Sequence, residues 1–178
     1  ITPYMDRNDD LVECFAEYKK RVGRVLPKFP VQVLQNWFYE HWVQAGEFIE
    51  YPLQKLSFRF KYVSYCELLA FAEEDRSPTQ KNLEQLRSSS YQRDMAANPD
   101  WSMARLKEYQ LIHGTWPVPP IVMDTLSLGS TKSVLGCPCL EPLHLIEGRR
   151  RVAVAIHYSE KAPVNGSYKV WLATMRSY

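Results

Sequence analysis

The sequence predicts an α+β fold: a small mixed β-sheet with flanking helices, carrying an added helical stretch over residues 1–50. Three observations predict it. Apolar residues recur at helical spacing, first as Leu11, Cys14, Phe15, Tyr18 and Val22. Short alternating or fully apolar runs at 56–60, 121–124, 143–146 and 169–175 have the length of strands. Hydrophobic residues make up 46% and charged residues 24%, enough to build a core and too apolar for global disorder.

The elements follow in order. Residues 6–25 read as a helix with Asp9 or Asp10 as its cap. Lys19, Lys20 and Arg21 lie near its C-terminal end, where cations suit the dipole, and Gly23 ends it. After a connector at 27–30, a second helix spans 31–44, with Pro30 in its first turn. Leu34, Trp37, Phe38, His41 and Trp42 share one broad face, and His41 there reads as a core or boundary histidine rather than a ligand. Leu56, Phe58 and Phe60 alternate with Ser57, Arg59 and Lys61, the period of a half-buried strand over 51–60. Ser64 and Glu67 form a capping box for a helix at 66–74.

A turn at 75–79 precedes helix at 80–86, and Ser88, Ser89 and Ser90 make a polar break. Residues 91–97 fit helix or loop. Asn98-Pro99-Asp100 is a turn, and Asp100 or Ser102 caps a helix through Tyr109. Pro117, Pro119 and Pro120 fix an extended approach to a buried strand at 121–124. A Ser- and Gly-rich loop covers 125–139, a strand 143–146, a helix 150–158, a turn 161–168 and a last strand 169–175.

The chain of 178 residues suits one domain with a helical extension, divided at residues 50 and 51. A net charge of +2 is low for a protein that coats DNA, although a local basic patch remains open to it. Aromatic residues are abundant at 13%. No apolar run has the length of a membrane span, and the first residues lack the pattern of a signal peptide. A cytoplasmic chain with no membrane partner is the expectation, and the missing initiating Met points to a trimmed chain. Cys14, Cys66, Cys137 and Cys139 do not form a dense disulfide framework, so reduced thiols are expected.

Function concentrates at residues 144–155, His-Leu-Ile-Glu-Gly-Arg-Arg-Arg-Val-Ala-Val-Ala. A strand end, a turn at Gly148 and a helix start combine there. The unpaired N–H groups of a first helical turn and the helix dipole attract anions. Arg149, Arg150 and Arg151 oppose that dipole, a cost that a bound phosphate would offset through forked hydrogen bonds. A solvated helix face accounts for such an arginine run about as well.

Leu145-Ile146-Glu147-Gly148-Arg149-Arg150-Arg151 resembles the signature turn of the ParB/sulfiredoxin superfamily. Gly148 and Arg151 match its pattern. Arg149 stands where ParB-type proteins have Glu, related proteins His and sulfiredoxins the nucleophilic Cys. The resemblance therefore implies phosphate binding ahead of catalysis, and it disfavours the sulfiredoxin reaction. It covers residues 51 to the end, and it places the loop 114–120 beside the turn. Trp37, Trp42 and the Gly-Thr-Trp-Pro stretch are similar to those of bacterial proteins that carry this domain behind a helical part.

Three readings follow. In the first, Gly148, Arg149, Arg150 and Arg151 hold the phosphate of a nucleotide or nucleic acid. Thr115 donates a hydrogen bond and Trp116 stacks on a base, against an equal reading of Trp116 as a core anchor. The candidate cofactor is a nucleoside triphosphate with Mg2+, and the role is regulation or defence in a bacterium or mobile element. Arg151→Ala is then expected to lower nucleotide affinity while the fold persists. In the second, a ParB-like nuclease or nucleoside-triphosphate hydrolase takes its base or metal-binding acid from Glu147, Asp124, His144 or His113. In the third, the N-terminal helices bind a protein partner or a second copy of the chain. A zinc site at Cys137, Cys139 and His144 lacks the common ligand spacing and a fourth ligand, so no metal is expected.

Overall fold

The computed structural model describes residues 1–8, 10–46, 48, 49, 51–73, 78–128, 143–159 and 167–175. The fold is α+β, with helices flanking a four-stranded mixed sheet. Its elements are α1 (Phe15–Val22), α2 (Val31–Val33), a π-helical segment (Leu34–Tyr39), α3 (Trp42–Gly46), β1 (Leu56–Ser64), α4 (Tyr65–Glu73), α5 (Pro78–Arg87), α6 (Ser89–Ala97), α7 (Ser102–His113), β2 (Ile121–Asp124), β3 (Leu143–Glu147), α8 (Arg149–Ser159) and β4 (Ser167–Met175). The strand order is β1-β4-β2-β3. No helix among the described residues is long and apolar enough to cross a membrane.

The chain divides into two compact units. The first comprises the described parts of Ile1–Arg59, Asp124–Leu140 and Ala173–Tyr178, and the second those of Phe60–Met123 and Glu141–Leu172.

In the first unit α1 starts later than the periodicity predicts. Cys14 sits at the N-cap position without a side-chain cap bond. The Asp6 carboxylate instead accepts from the N–H groups of Asn8 and Asp10, at 2.8 and 2.9 Å, and so holds the preceding residues in a turn. Asp10 is therefore not the cap, and Asp9 lies outside the described residues. The predicted single helix at 31–44 is instead divided: α2 runs into the π-helical segment, where Glu40 N–H donates to Gln35 O at 2.9 Å, a bond spanning five residues, and a turn at 40–41 precedes α3. Leu34, Trp37 and Phe38 are buried in that segment, with Phe48 and Phe29 against them, while His41 is exposed rather than at the core.

Glu13 and Arg21 tie this unit together. The Arg21 guanidinium donates to both Glu13 carboxylate oxygens, at 3.0 and 2.6 Å, and to Thr2 O at 2.9 Å. Tyr4 N–H donates to the same carboxylate at 3.1 Å, and the Tyr4 ring lies 4.2 Å from the guanidinium. Hydrogen bonds from Arg21 hold the Glu13 carboxyl below its ordinary value, outweighing burial, which pushes it up. A carboxyl depressed on folding stabilises above its unfolded pKa, and that contribution is lost as pH falls through the folded value. Glu13→Gln is therefore expected to cost about 1–3 kcal/mol at pH 7. At pH 3 the deficit should shrink, because the parent carboxyl is then losing its charge as well. Thermal unfolding of both proteins at the two pH values measures it, and a deficit that grows in acid would refute the assignment.

The second unit is built around α8. Val152, Ala153, Val154, Ala155, Ile156 and Tyr158 are all buried there. A helix apolar on every side belongs inside. The core around it takes Leu68 from α4, Leu83 and Leu86 from α5, Met95 from α6 and Met103 from α7. Val63, Val122, Leu145, Tyr168, Val170 and Leu172 come from the strands. The capping box forms as the sequence predicts: Ser64 N–H donates to Glu67 at 2.7 Å, and Glu67 N–H donates to Ser64 Oγ at 3.2 Å. Residues 91–97 are helical. Gln92 fixes them by donating to Leu86 O at 2.6 Å and accepting from Tyr158 Oη at 3.0 Å. The alternation read at 56–60 does not bury Phe60, which is 44% exposed and lies between Trp171 and Lys169.

Candidate functional site

The turn between β3 and α8 forms as predicted, a strand end followed by Gly148 and a helix from Arg149. Gly148 has φ +103°, a conformation L side chains rarely adopt, and an added Cβ would lie 2.6 Å from Pro120 Cβ. The loop 114–120 therefore lies against the turn, as the resemblance implied. Val152 N–H is the first to bond back within α8, to Gly148 O at 3.0 Å. The N–H groups of Arg149, Arg150 and Arg151 lie in the first turn, which has no intrahelical carbonyl for them.

The three arginines differ in what they do. Arg151 turns inward. Its guanidinium donates to Val118 O at 2.7 Å and to both carboxylate oxygens of Glu147, with only 11% of the Arg151 side chain and 9% of the Glu147 side chain exposed. It therefore fastens the helix start to the strand end and to the proline-rich loop. Arg149 is half-buried, and no hydrogen bond or ion pair of its side chain occurs among the described residues. Arg150 is exposed and reaches Ser102 Oγ at 3.3 Å, across to the first residue of α7.

Arg150 opens onto a cavity of about 290 Å³ lined also by Asn82, Gln85, Tyr91, Trp101, Ser102 and Met103. Asn82 and Gln85 lie one turn apart on α5, and their side-chain amides make no hydrogen bond among the described residues. Trp101 is 43% exposed, and its ring centroid stands 6.3 Å from that of Tyr91 at 46°, so the two rings diverge. Trp101 holds the N-cap position of α7 with no side-chain cap bond, so neither Asp100 nor Ser102 caps this helix. The two helix starts, of α7 and α8, thus meet at one guanidinium.

The remaining predicted residues are placed as follows. Thr115 is half-buried. Trp116 is 6% exposed, packs on Tyr168 and donates its indole N–H to Lys169 O at 2.7 Å, the geometry of a core anchor. Glu147 and His144 are buried on β3. The Glu147 carboxylate is engaged by the Arg151 guanidinium. Asp124 accepts from the N–H groups of Leu126 and Ser127, at 3.1 and 3.3 Å, and so caps the turn after β2. His113 is exposed at the end of α7, its ring 4.2 Å from that of Tyr109. Cys14 and Cys66 are free and exposed, while Cys137 and Cys139 lie outside the described residues. No group of three or more His, Cys, Asp or Glu suited to a metal ion occurs among the described residues.

Sequence reasoning reached Arg150 but missed Asn82, Gln85, Tyr91 and Trp101. The available signals were the i, i+3 spacing of the two amides and a tryptophan set directly after a Pro-Asp turn. Neither links those residues to position 150. No protein-family model, curated protein or solved structure matches the chain.

Proposed function

We propose that the chain binds the phosphate of a nucleotide or nucleic acid at the start of α8, as a ParB/sulfiredoxin-like domain with a regulatory or defence role. The observation that carries this reading is Arg150. It is an exposed guanidinium in the first turn of a helix, where its charge opposes the dipole, and it lines a polar cavity. An anion there would meet the Arg150 guanidinium beside the first turn of α8.

Arg150→Ala tests it. The residue is exposed and its one hydrogen bond goes to an exposed serine, so the variant should keep the parent's fold. The measurement is calorimetric titration of nucleoside triphosphates with and without Mg2+, of a short DNA duplex and of a single strand. Loss of a hydrogen bond to a charged group is worth about 1.5–3 kcal/mol. The ligand that binds the parent is therefore expected to bind the variant at least tenfold more weakly. Equal affinity in the variant, or no binding to the parent at millimolar ligand, overturns the reading.

A further inference from the structure

We infer that the cavity between α5, α6, α7 and the start of α8 is a mononucleotide site, with the base against Trp101 and Tyr91 and the phosphate on Arg150. The inference rests on the reading of Arg150 as the phosphate ligand and adds where the rest of the ligand goes. Three features carry it. The cavity, about 290 Å³, is near the low end of the range of small-molecule sites, which suits a single nucleotide. Its one cationic lining residue is Arg150. A polymer is held by a track of cations along successive phosphates, whereas one guanidinium suits one phosphate group.

The second feature is the aromatic pair. Tyr91 and Trp101 diverge by 46°, and the exposed Trp101 ring is available as a stacking surface. Every base has a π-face, so such stacking is tolerant of base identity. The third is the amide pair. Asn82 and Gln85 each offer a donor and an acceptor that the described residues leave unused, and an amide matches the paired donor and acceptor on a base edge. Phosphate, ring and edge are thus each met by a different element: α8, the start of α7 with α6, and α5.

The test uses the full chain and titrates the four ribonucleoside 5′-monophosphates, the four nucleosides, inorganic phosphate and a single-stranded oligonucleotide. The variants are Trp101→Ala, Trp101→Phe, Asn82→Ala with Gln85→Ala, and Arg150→Ala. At least one monophosphate is expected to bind more tightly than its nucleoside and than inorganic phosphate. Trp101→Ala and the double amide variant should each weaken it about tenfold. Trp101→Phe should keep affinity within about threefold and remove the quenching of tryptophan fluorescence that the bound base produces.

Affinity lost in Arg150→Ala but unchanged in Trp101→Ala and in the amide variant would overturn the inference and leave the phosphate reading standing. Affinity unchanged in Arg150→Ala would overturn both. Binding of the oligonucleotide alone, with none of the monophosphates bound at millimolar concentration, would also overturn the mononucleotide site.

Discussion

Arg151→Ala is expected to lower stability by about 3–5 kcal/mol, because it takes the guanidinium away from the buried Glu147 carboxylate. For a chain of this length that corresponds to a fall in Tm of roughly 10 °C. Glu147→Ala should cost a similar amount by leaving the guanidinium with only Val118 O. Replacing both residues together, as Glu147→Leu with Arg151→Met, should cost much less than Glu147→Leu and Arg151→Met made singly cost in sum. Charge and counter-charge then leave the interior together, and side chains of similar bulk remain. Thermal unfolding of the parent, Glu147→Leu, Arg151→Met and the double variant supplies the double-mutant cycle. The sequence expectation for Arg151 was different: lost ligand affinity on an intact fold. If Arg151→Ala melts with the parent and only its affinity falls, the inward pair is not structural and Arg151 returns to the ligand side.

That contrast shows which level of the structure was legible. Local chemistry was. The Ser64 and Glu67 box, the Gly148 turn and the run of valines and alanines on α8 each carry their instruction within a few residues, and each forms as read. Long-range pairing was not. Three consecutive arginines look alike in sequence, yet helical geometry points successive side chains about 100° apart. One meets Glu147 a turn away, one meets Ser102 on another helix, and one is left half-buried. The i, i+4 relation of Glu147 and Arg151 was visible in the chain, but Gly148 between them hid that a strand residue and a helix residue would face each other. Trp116 could be read as anchor or stacking surface until its N–H was seen to bond Lys169 O. The boundary of α1 failed for another reason. Leu11 and Cys14 keep helical period, but the Asp6 carboxylate takes the N–H groups of Asn8 and Asp10 just ahead of them.

Gly148→Ala is expected to be the most damaging small substitution in the second unit, at about 3 kcal/mol or more. Two costs combine. A left-handed conformation costs an L residue about 1–2 kcal/mol, and φ +103° is farther out than the common left-handed region. Overpacking adds about 1–3 kcal/mol, since the new methyl would sit 2.6 Å from Pro120 Cβ and 3.0 Å from its Cα. Neither neighbour is a flexible side-chain end that could swing away. Pro120→Gly in the same chain removes the Cβ contact but not the conformational cost. In a cycle with each single variant it should recover only the steric part. The functional consequence follows from position. A shifted turn moves the start of α8, and with it Arg150 relative to Ser102 and the cavity. Gly148→Ala should therefore weaken phosphate binding at least as much as Arg150→Ala does. Parent-like stability together with parent-like binding would mean that the backbone at Gly148 is not held where Pro120 excludes a side chain, and the strand–turn–helix geometry of the site would fall with it.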